Sequence, residues 1–274
     1  MTSSEPRLQR YVALGDSQTE GLGDGDDATG LRGWADRLAE DLAGHHPGLT
    51  YANLAVRGRL AGQVRAEQLA PALALRPDLA TVVAGMNDLM RPRFDADEVA
   101  GHLEAMFAAL TDRGVRVATV TFPDPGYITA LARPLGSRVT ALNERIRAAA
   151  GRHRVVVADT HGYPVVTDPR LWSPDRLHDG PIGHQRIAEA VAQALGLPGS
   201  GDAWTRPLPP PATPFPTGVR AAAGELRWAG AFLGPWLGRR LLGRSSGTGR
   251  TAKRPALLPV LPAVRTLPAP TASD

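Results

Sequence analysis

The 274-residue chain contains no cysteine, so it can hold neither a disulfide framework nor a thiolate metal site, and it has no cysteine nucleophile. Aromatic residues make up only 5% of it, and Lys253 is the one lysine among 31 basic residues. No run approaches the roughly 18 to 20 uninterrupted apolar residues needed to span a bilayer. Residues 1–10, MTSSEPRLQR, are polar and lead straight into the first apolar stretch, leaving no room for the core of a secretory signal. The expected compartment is therefore the cytoplasm. Chemistry must come from Ser, His, Asp, Glu or Asn.

A hydrophobic content of 43% over this length is enough for one substantial core. The net charge of +4 is unevenly spread: residues 201–274 carry 10 basic against 3 acidic side chains, which leaves 21 against 24 for residues 1–200. A slightly acidic body speaks against nucleic acid as a partner, because phosphate neutralisation needs a basic stripe.

Residues 10–195 alternate short β-type runs with longer helical patterns. Strands are predicted at 10–14, 50–56, 79–85, 115–121 and 154–159, with helical windows at 32–44, 61–73, 95–114, 136–153 and 180–196. In the third window Val99, Leu103, Met106, Phe107 and Leu110 share one face, and Gly114 stops the helix. Strict β-α-β-α alternation implies right-handed crossovers and a parallel sheet covered on both faces. Five strands in a flavodoxin-like order 2-1-3-4-5 bring the loops after strands 1, 2 and 3 to one spot beyond their carboxyl ends.

Those loops are rich in chemistry. Strand 1 ends in Gly15-Asp16-Ser17, strand 2 leads to Gly58, strand 3 ends in GMND with Asn87, and Asp175 and His178 precede the last helix. A serine becomes a competent nucleophile only when a base takes its proton and a third group holds that base in the right tautomer. An Asp and a His at i, i+3 suit a single turn in which the carboxylate meets Nδ1 and Nε2 is left for the serine. The oxyanion of a tetrahedral intermediate needs donors, and the backbone N–H groups of Ser17 and Gly58 and the side-chain amide of Asn87 are placed to supply three. Asp88 either orders the turn of Asn87 or caps a following segment. His184 is a weaker candidate base, since Pro181 stands where a carboxylate partner would be.

With LGDSQTEG, NLAVRG, GMND and DRLHDGPIGH in this order, residues 10–196 resemble the GDSL/SGNH hydrolase family, in an actinobacterial-type form. The resemblance implies a three-layer α/β/α flavodoxin-like fold with a five-stranded parallel sheet over residues 1–197. It implies Ser17 as nucleophile, His178 as general base and acid, Asp175 as its orienting partner, and Ser17, Gly58 and Asn87 as the oxyanion hole. The expected activity is hydrolysis of a small-molecule carboxylic ester without cofactor or metal. Acyl transfer or deacetylation of a sugar or secondary metabolite, or a non-catalytic module binding a ligand or a membrane surface, are the alternatives. Two positions depart from the family's pattern: Gln18 follows the serine and is expected to line the substrate mouth, and Asp179 follows the histidine. Phe122 and Tyr127 are candidate acyl-pocket residues. The acids Asp24, Asp26 and Asp27 do not read as a calcium loop, because the position for its closing Glu is Ala35.

Twelve of the 25 prolines follow residue 200. Residues 198–217 are expected to be a Pro-rich linker, 218–244 a docked or amphipathic helix interrupted by Pro235, and 245–274 a disordered tail. Trp228, Phe232 and Trp236, with Arg227, Arg239, Arg240 and Arg244, suit packing on the body better than contact with an anionic membrane.

Overall fold

The computed structural model describes residues 7–213, 215–235, 238 and 246–262. Five parallel strands, β1 (Arg10–Gly15), β2 (Thr50–Asn53), β3 (Leu79–Val83), β4 (Arg116–Val120) and β5 (Val156–Ala158), form the sheet in the order β5-β4-β3-β1-β2. This is the 2-1-3-4-5 order expected from the alternation. The helices are α1 (Ser17–Glu20), α2 (Trp34–His45), α3 (Ala61–Ala74), α4 (Met86–Leu89), α5 (Ala96–Thr111), α6 (Gly136–Arg152), α7 (Pro181–Ala194) and α8 (Gly218–Trp228). Among those flanking the sheet, α2 packs with α7, and α5 packs with both α3 and α6.

The central strands bury both faces and therefore read as continuous apolar runs: all five residues of β3 are buried. In α5 the five residues of the predicted face are buried together, and Asp95 starts the helix by accepting from the N–H groups of Asp97 (2.8 Å) and Glu98 (3.2 Å). Tyr11 and Tyr51, on neighbouring strands, are fully enclosed and stack with ring centroids 5.0 Å apart. None of the described helices is long and apolar enough to cross a membrane.

The C-terminal residues depart from expectation. The sheet has six strands, because β6 (Arg254–Pro259) runs antiparallel along the outer edge of β2. The expected disorder from residue 245 is thus corrected over 254–259. Pro255 and Pro259 lack N–H donors, which argues against an interior strand but not against an edge one. The linker is anchored too: Trp204 is buried, donates from Nε1 to Gln193 Oε1 (2.5 Å) and meets Tyr163 edge-on at 4.7 Å. Trp236, Arg239, Arg240, Arg244 and residues 263–274 lie outside the described residues.

Candidate active site

The first strand stops abruptly at Gly15. A Cβ there would lie 2.4 Å from Thr19 Oγ1 and 2.6 Å from the Val83 carbonyl oxygen, so only glycine lets α1 fold back against the end of β3. Both backbone groups of Gly15 are taken up by Gln68 of α3, whose Oε1 accepts from Gly15 N–H and whose Nε2 donates to Gly15 O, each at 2.8 Å. Asp16 then caps α1, accepting from Gln18 N–H at 3.3 Å, and Ser17 takes the first helical position, 8% exposed.

The loops after β2 and β3 converge on this turn. Asn87, in α4, donates from Nδ2 to Asp16 Oδ2 (3.1 Å) and to the Arg59 carbonyl (3.2 Å). One amide therefore links the residue before Ser17 with the residue after Gly58, whose φ of 77° is left-handed. The buried pair Glu20 and Arg57 closes the same triangle. Glu20 accepts from Arg57 N–H (2.6 Å), Nε (2.9 Å) and Nη2 (2.6 Å), tying α1 to the Gly58 turn. Asp88 resolves into a cap, accepting from Ala61 N–H at 3.0 Å where α3 begins.

The histidine arrives on a hairpin-like turn fixed by Ser173 N–H to His178 O (2.9 Å) and a bridge between Trp172 and Asp179. His178 Nδ1 lies 2.7 Å from Asp175 Oδ2, and Asp175 Oδ1 accepts from Ser173 Oγ (2.6 Å) and from the N–H groups of Leu177 (2.9 Å) and His178 (3.0 Å). Burial alone would raise the Asp175 carboxyl, but the hydrogen bond and charge of His178, with Ser173 and Leu177, hold it well below the usual carboxylate range. An ionised carboxylate only accepts, so Nδ1 carries the proton and the neutral imidazole keeps its lone pair on Nε2.

Gln18 joins the two halves. Its Nε2 donates to Leu177 O (3.0 Å) and its Oε1 accepts from Asp179 N–H (3.4 Å), so the residue beside Ser17 grips the main chain on both sides of His178. Two further carboxyls lie close by. Burial pushes Asp16 up to about 7 and Asp179 up to about 7, with the His178 charge opposing the shift in both. His184 is enclosed, accepting from Trp34 N–H at Nδ1 (3.2 Å) and donating to Leu22 O from Nε2 (2.9 Å), and burial lowers it to about 4. With both nitrogens engaged it is a structural histidine.

Beside Gln18 a narrow, mainly apolar cavity of about 50 Å³ is lined by Met86, Phe122, Trp172, Asp179 and Trp204, among others. Phe122 is thus at the cavity, whereas Tyr127 is 77% exposed and does not line it. Sequence reasoning missed Gln68 and the Glu20–Arg57 pair. Gln68 carries no motif signal. Glu20 and Arg57 stand inside the quoted blocks, and the match of acid to base was the available sign.

The family model for GDSL-like lipases and acylhydrolases matches residues 13–186. No curated protein matches the chain in sequence. Among solved structures, a lipase/acylhydrolase from Enterococcus faecalis is 21% identical, with a TM-score of 0.57 over 71% of this chain and 100% of that one. An α/β hydrolase, LAE5, from the metagenome of Lake Arreo is 24% identical, with a TM-score of 0.55 over 69% and 95%. An acetylxylan esterase, Axe2, from Geobacillus stearothermophilus is 18% identical, with a TM-score of 0.57 over 72% and 96%.

Proposed function

The chain belongs to the GDSL-like lipase/acylhydrolase family, and from that premise we propose that it hydrolyses short-chain carboxylic esters through an acyl-enzyme on Ser17. The observation that carries this reading is the 2.7 Å contact of His178 Nδ1 with an Asp175 held ionised, on a turn that Gln18 fastens beside Ser17. In the first step the Ser17 Oγ–H bond breaks, its proton passes to His178 Nε2, and Oγ adds to the ester carbonyl carbon. The oxyanion is received by the N–H groups of Ser17 and Gly58 and by Asn87, whose longer bond to Arg59 O is the one exchanged. Collapse expels the alcohol, which takes the proton from His178. Water then repeats the sequence with His178 again as base, releasing the carboxylic acid and restoring Ser17.

The cavity is lined by Gln18, the chain neighbour of Ser17, and by Phe122, and we take it as the space for a small acyl group. Acetylxylan esterases are among the proteins sharing the fold, so acetyl esters head the substrates to try. Hydrolysis of p-nitrophenyl esters from C2 to C12 tests the reading. Wild type is expected to favour C2–C4 over C8 and longer by at least about tenfold, the scale of a few methylenes that cannot be buried. Ser17→Ala is expected to lose activity across the series. A folded wild type that turns over none of these esters overturns the proposal.

A further inference from the structure

The solved structures that share the fold are covered almost completely, 95–100% in the three cited, while about 70% of this chain is. The family match ends at residue 186. The C-terminal segment is therefore an addition to the shared fold, and it lands on the catalytic turn. Trp228, at the end of α8, is buried and donates from Nε1 to the carbonyl oxygen of Asp175 at 2.7 Å. Glu225, three residues earlier and so on the same helical face, pairs with Arg176 and accepts from Thr129 Oγ1 at 2.8 Å. The Arg176 guanidinium in turn lies 5.4 Å from the centre of the Trp228 ring.

Arg176 itself sits between Asp175 and His178 with φ of 54°, a left-handed conformation that costs a non-glycine residue free energy and persists only when its surroundings enforce it. Bonds within the turn hold it from inside, Arg176 N–H donating to Ser173 O (2.9 Å) and the Leu177 and His178 N–H groups to Asp175 Oδ1, and Glu225 and Trp228 add a hold from outside on Arg176 and on Asp175 O. The helix that carries them is tethered on both sides, by buried Trp204 before it and by β6 after it. Between α8 and β6, Gly247 lies so close to the Arg57 carbonyl that a Cβ would be 1.9 Å from that oxygen. Arg250 reaches Asp27 (2.6 Å), which also holds Arg57 (2.9 Å). Docking of α8 is therefore an intramolecular event with both flanks already in place.

We propose that Trp228 and Glu225 are positioning residues for the reaction: through Asp175 O and Arg176 they hold the left-handed turn that presents the Asp175–His178 pair to Ser17. The proposal rests on the hydrolase reading above. Neither side chain touches the reacting atoms. Their effect is on the aim of the imidazole, and a displacement of about 1 Å at such a group can cost on the order of 100-fold in rate.

The test compares full-length wild type with Trp228→Phe, which keeps a ring under Arg176 but removes the indole N–H, and with Glu225→Gln, which removes the charge facing Arg176. Val219→Ser, on an 87% exposed position of α8, is the control. Two readouts are taken: steady-state hydrolysis of p-nitrophenyl acetate, and the downfield proton resonance of His178 Nδ1–H. Expected are a fall in kcat of about tenfold in each variant with KM within twofold. Broadening or loss of the His178 resonance is expected at unchanged circular dichroism, with the control like wild type. Kcat within twofold of wild type and an unchanged resonance in both variants overturn the proposal while leaving the hydrolase reading intact. If wild type itself is inactive the hydrolase reading fails, and the resonance alone decides whether the turn depends on α8. Should Trp228→Phe not fold, Glu225→Gln, whose ion pair is partly exposed, carries the test.

Discussion

Asp179 follows His178 in the chain, yet its surroundings give it the opposite electrostatic character from Asp175. Asp175 is held ionised by four hydrogen bonds from Ser173, Leu177 and His178. Asp179 is buried against an apolar cavity, which pushes its carboxyl from the ordinary 3.8 to about 7. Below pH about 4 it is protonated in both folded and unfolded chains and costs nothing. As pH rises from about 4 to about 7 the unfolded chain ionises while the folded one holds its proton, so stability falls, and above 7 the full cost, on the order of 4 kcal/mol, is present. Asp179→Asn is therefore expected to be more stable than wild type at pH 8, with the difference shrinking to nothing near pH 4. Guanidinium unfolding at several pH values measures this, and a pH-independent difference would contradict the burial argument. Gln18 makes a second residue-scale case. Gln18→Leu keeps the bulk beside Ser17 but releases both bonds to the histidine turn, so kcat is expected to fall about tenfold while the preferred chain length stays where it is. Gln18 also lines the cavity, as the sequence suggests, and a change in chain-length preference at unchanged kcat would show that this role outweighs its bonds to the histidine turn.

At the scale of elements, α3 is tied to the turn that carries Ser17 as well as to the sheet. Gln68 satisfies both the N–H and the C=O of Gly15, at the point where β1 ends, and Asp88 holds the first turn of the same helix. Gln68→Leu leaves the buried Gly15 N–H without its partner and the Gly15 carbonyl with only the 3.4 Å bond from Val56 N–H, and is expected to destabilise the protein by about 1–3 kcal/mol, read as a shift in the denaturant midpoint. A shift near zero would mean that water replaces the amide. The order of strands and the carriers of Ser17, Asn87 and His178 were legible because apolar periodicity marks β1 to β5, because Ser17 and Asn87 stand just past strand ends, and because the Asp175–His178 spacing falls just before the last helix of the alternation. Gln68 was not legible: an amide on a helix reads as a solvent-facing residue until the strand end it serves is placed beside it. β6 was hidden by Pro255 and Pro259, which exclude an interior strand and are tolerated at an edge. Tyr127 looked like a pocket residue by composition, and the 3₁₀ turn Pro125–Tyr127 instead carries it outward.

Over the whole molecule, the C-terminal segment changes what counts as the fold. Its excess of basic residues is not all left to solvent, since Arg250, Lys253 and Arg254 are spent on the body. Arg250 meets Asp27 at 2.6 Å, Lys253 meets Asp36 at 2.6 Å, and Arg254 lies over the Tyr51 ring while donating to Tyr51 O at 2.8 Å. Charge asymmetry between the two parts of the sequence here marks an intramolecular contact. Removal of residues 254–274 uncovers the edge of β2 and is expected to lower the melting temperature by about 5–10 °C, the shift that a loss of about 2–3 kcal/mol produces in a domain of this size. Retention of the full melting temperature would show that β6 is an ornament on the sheet.

The proposed hydrolysis runs through Ser17 as the nucleophile. Intact-mass spectrometry after treatment with a fluorophosphonate, followed by peptide mapping, tests this most directly: one adduct is predicted, on Ser17, absent from Ser17→Ala. An adduct on another serine such as Ser173, or a folded wild type that takes up no label, would contradict it.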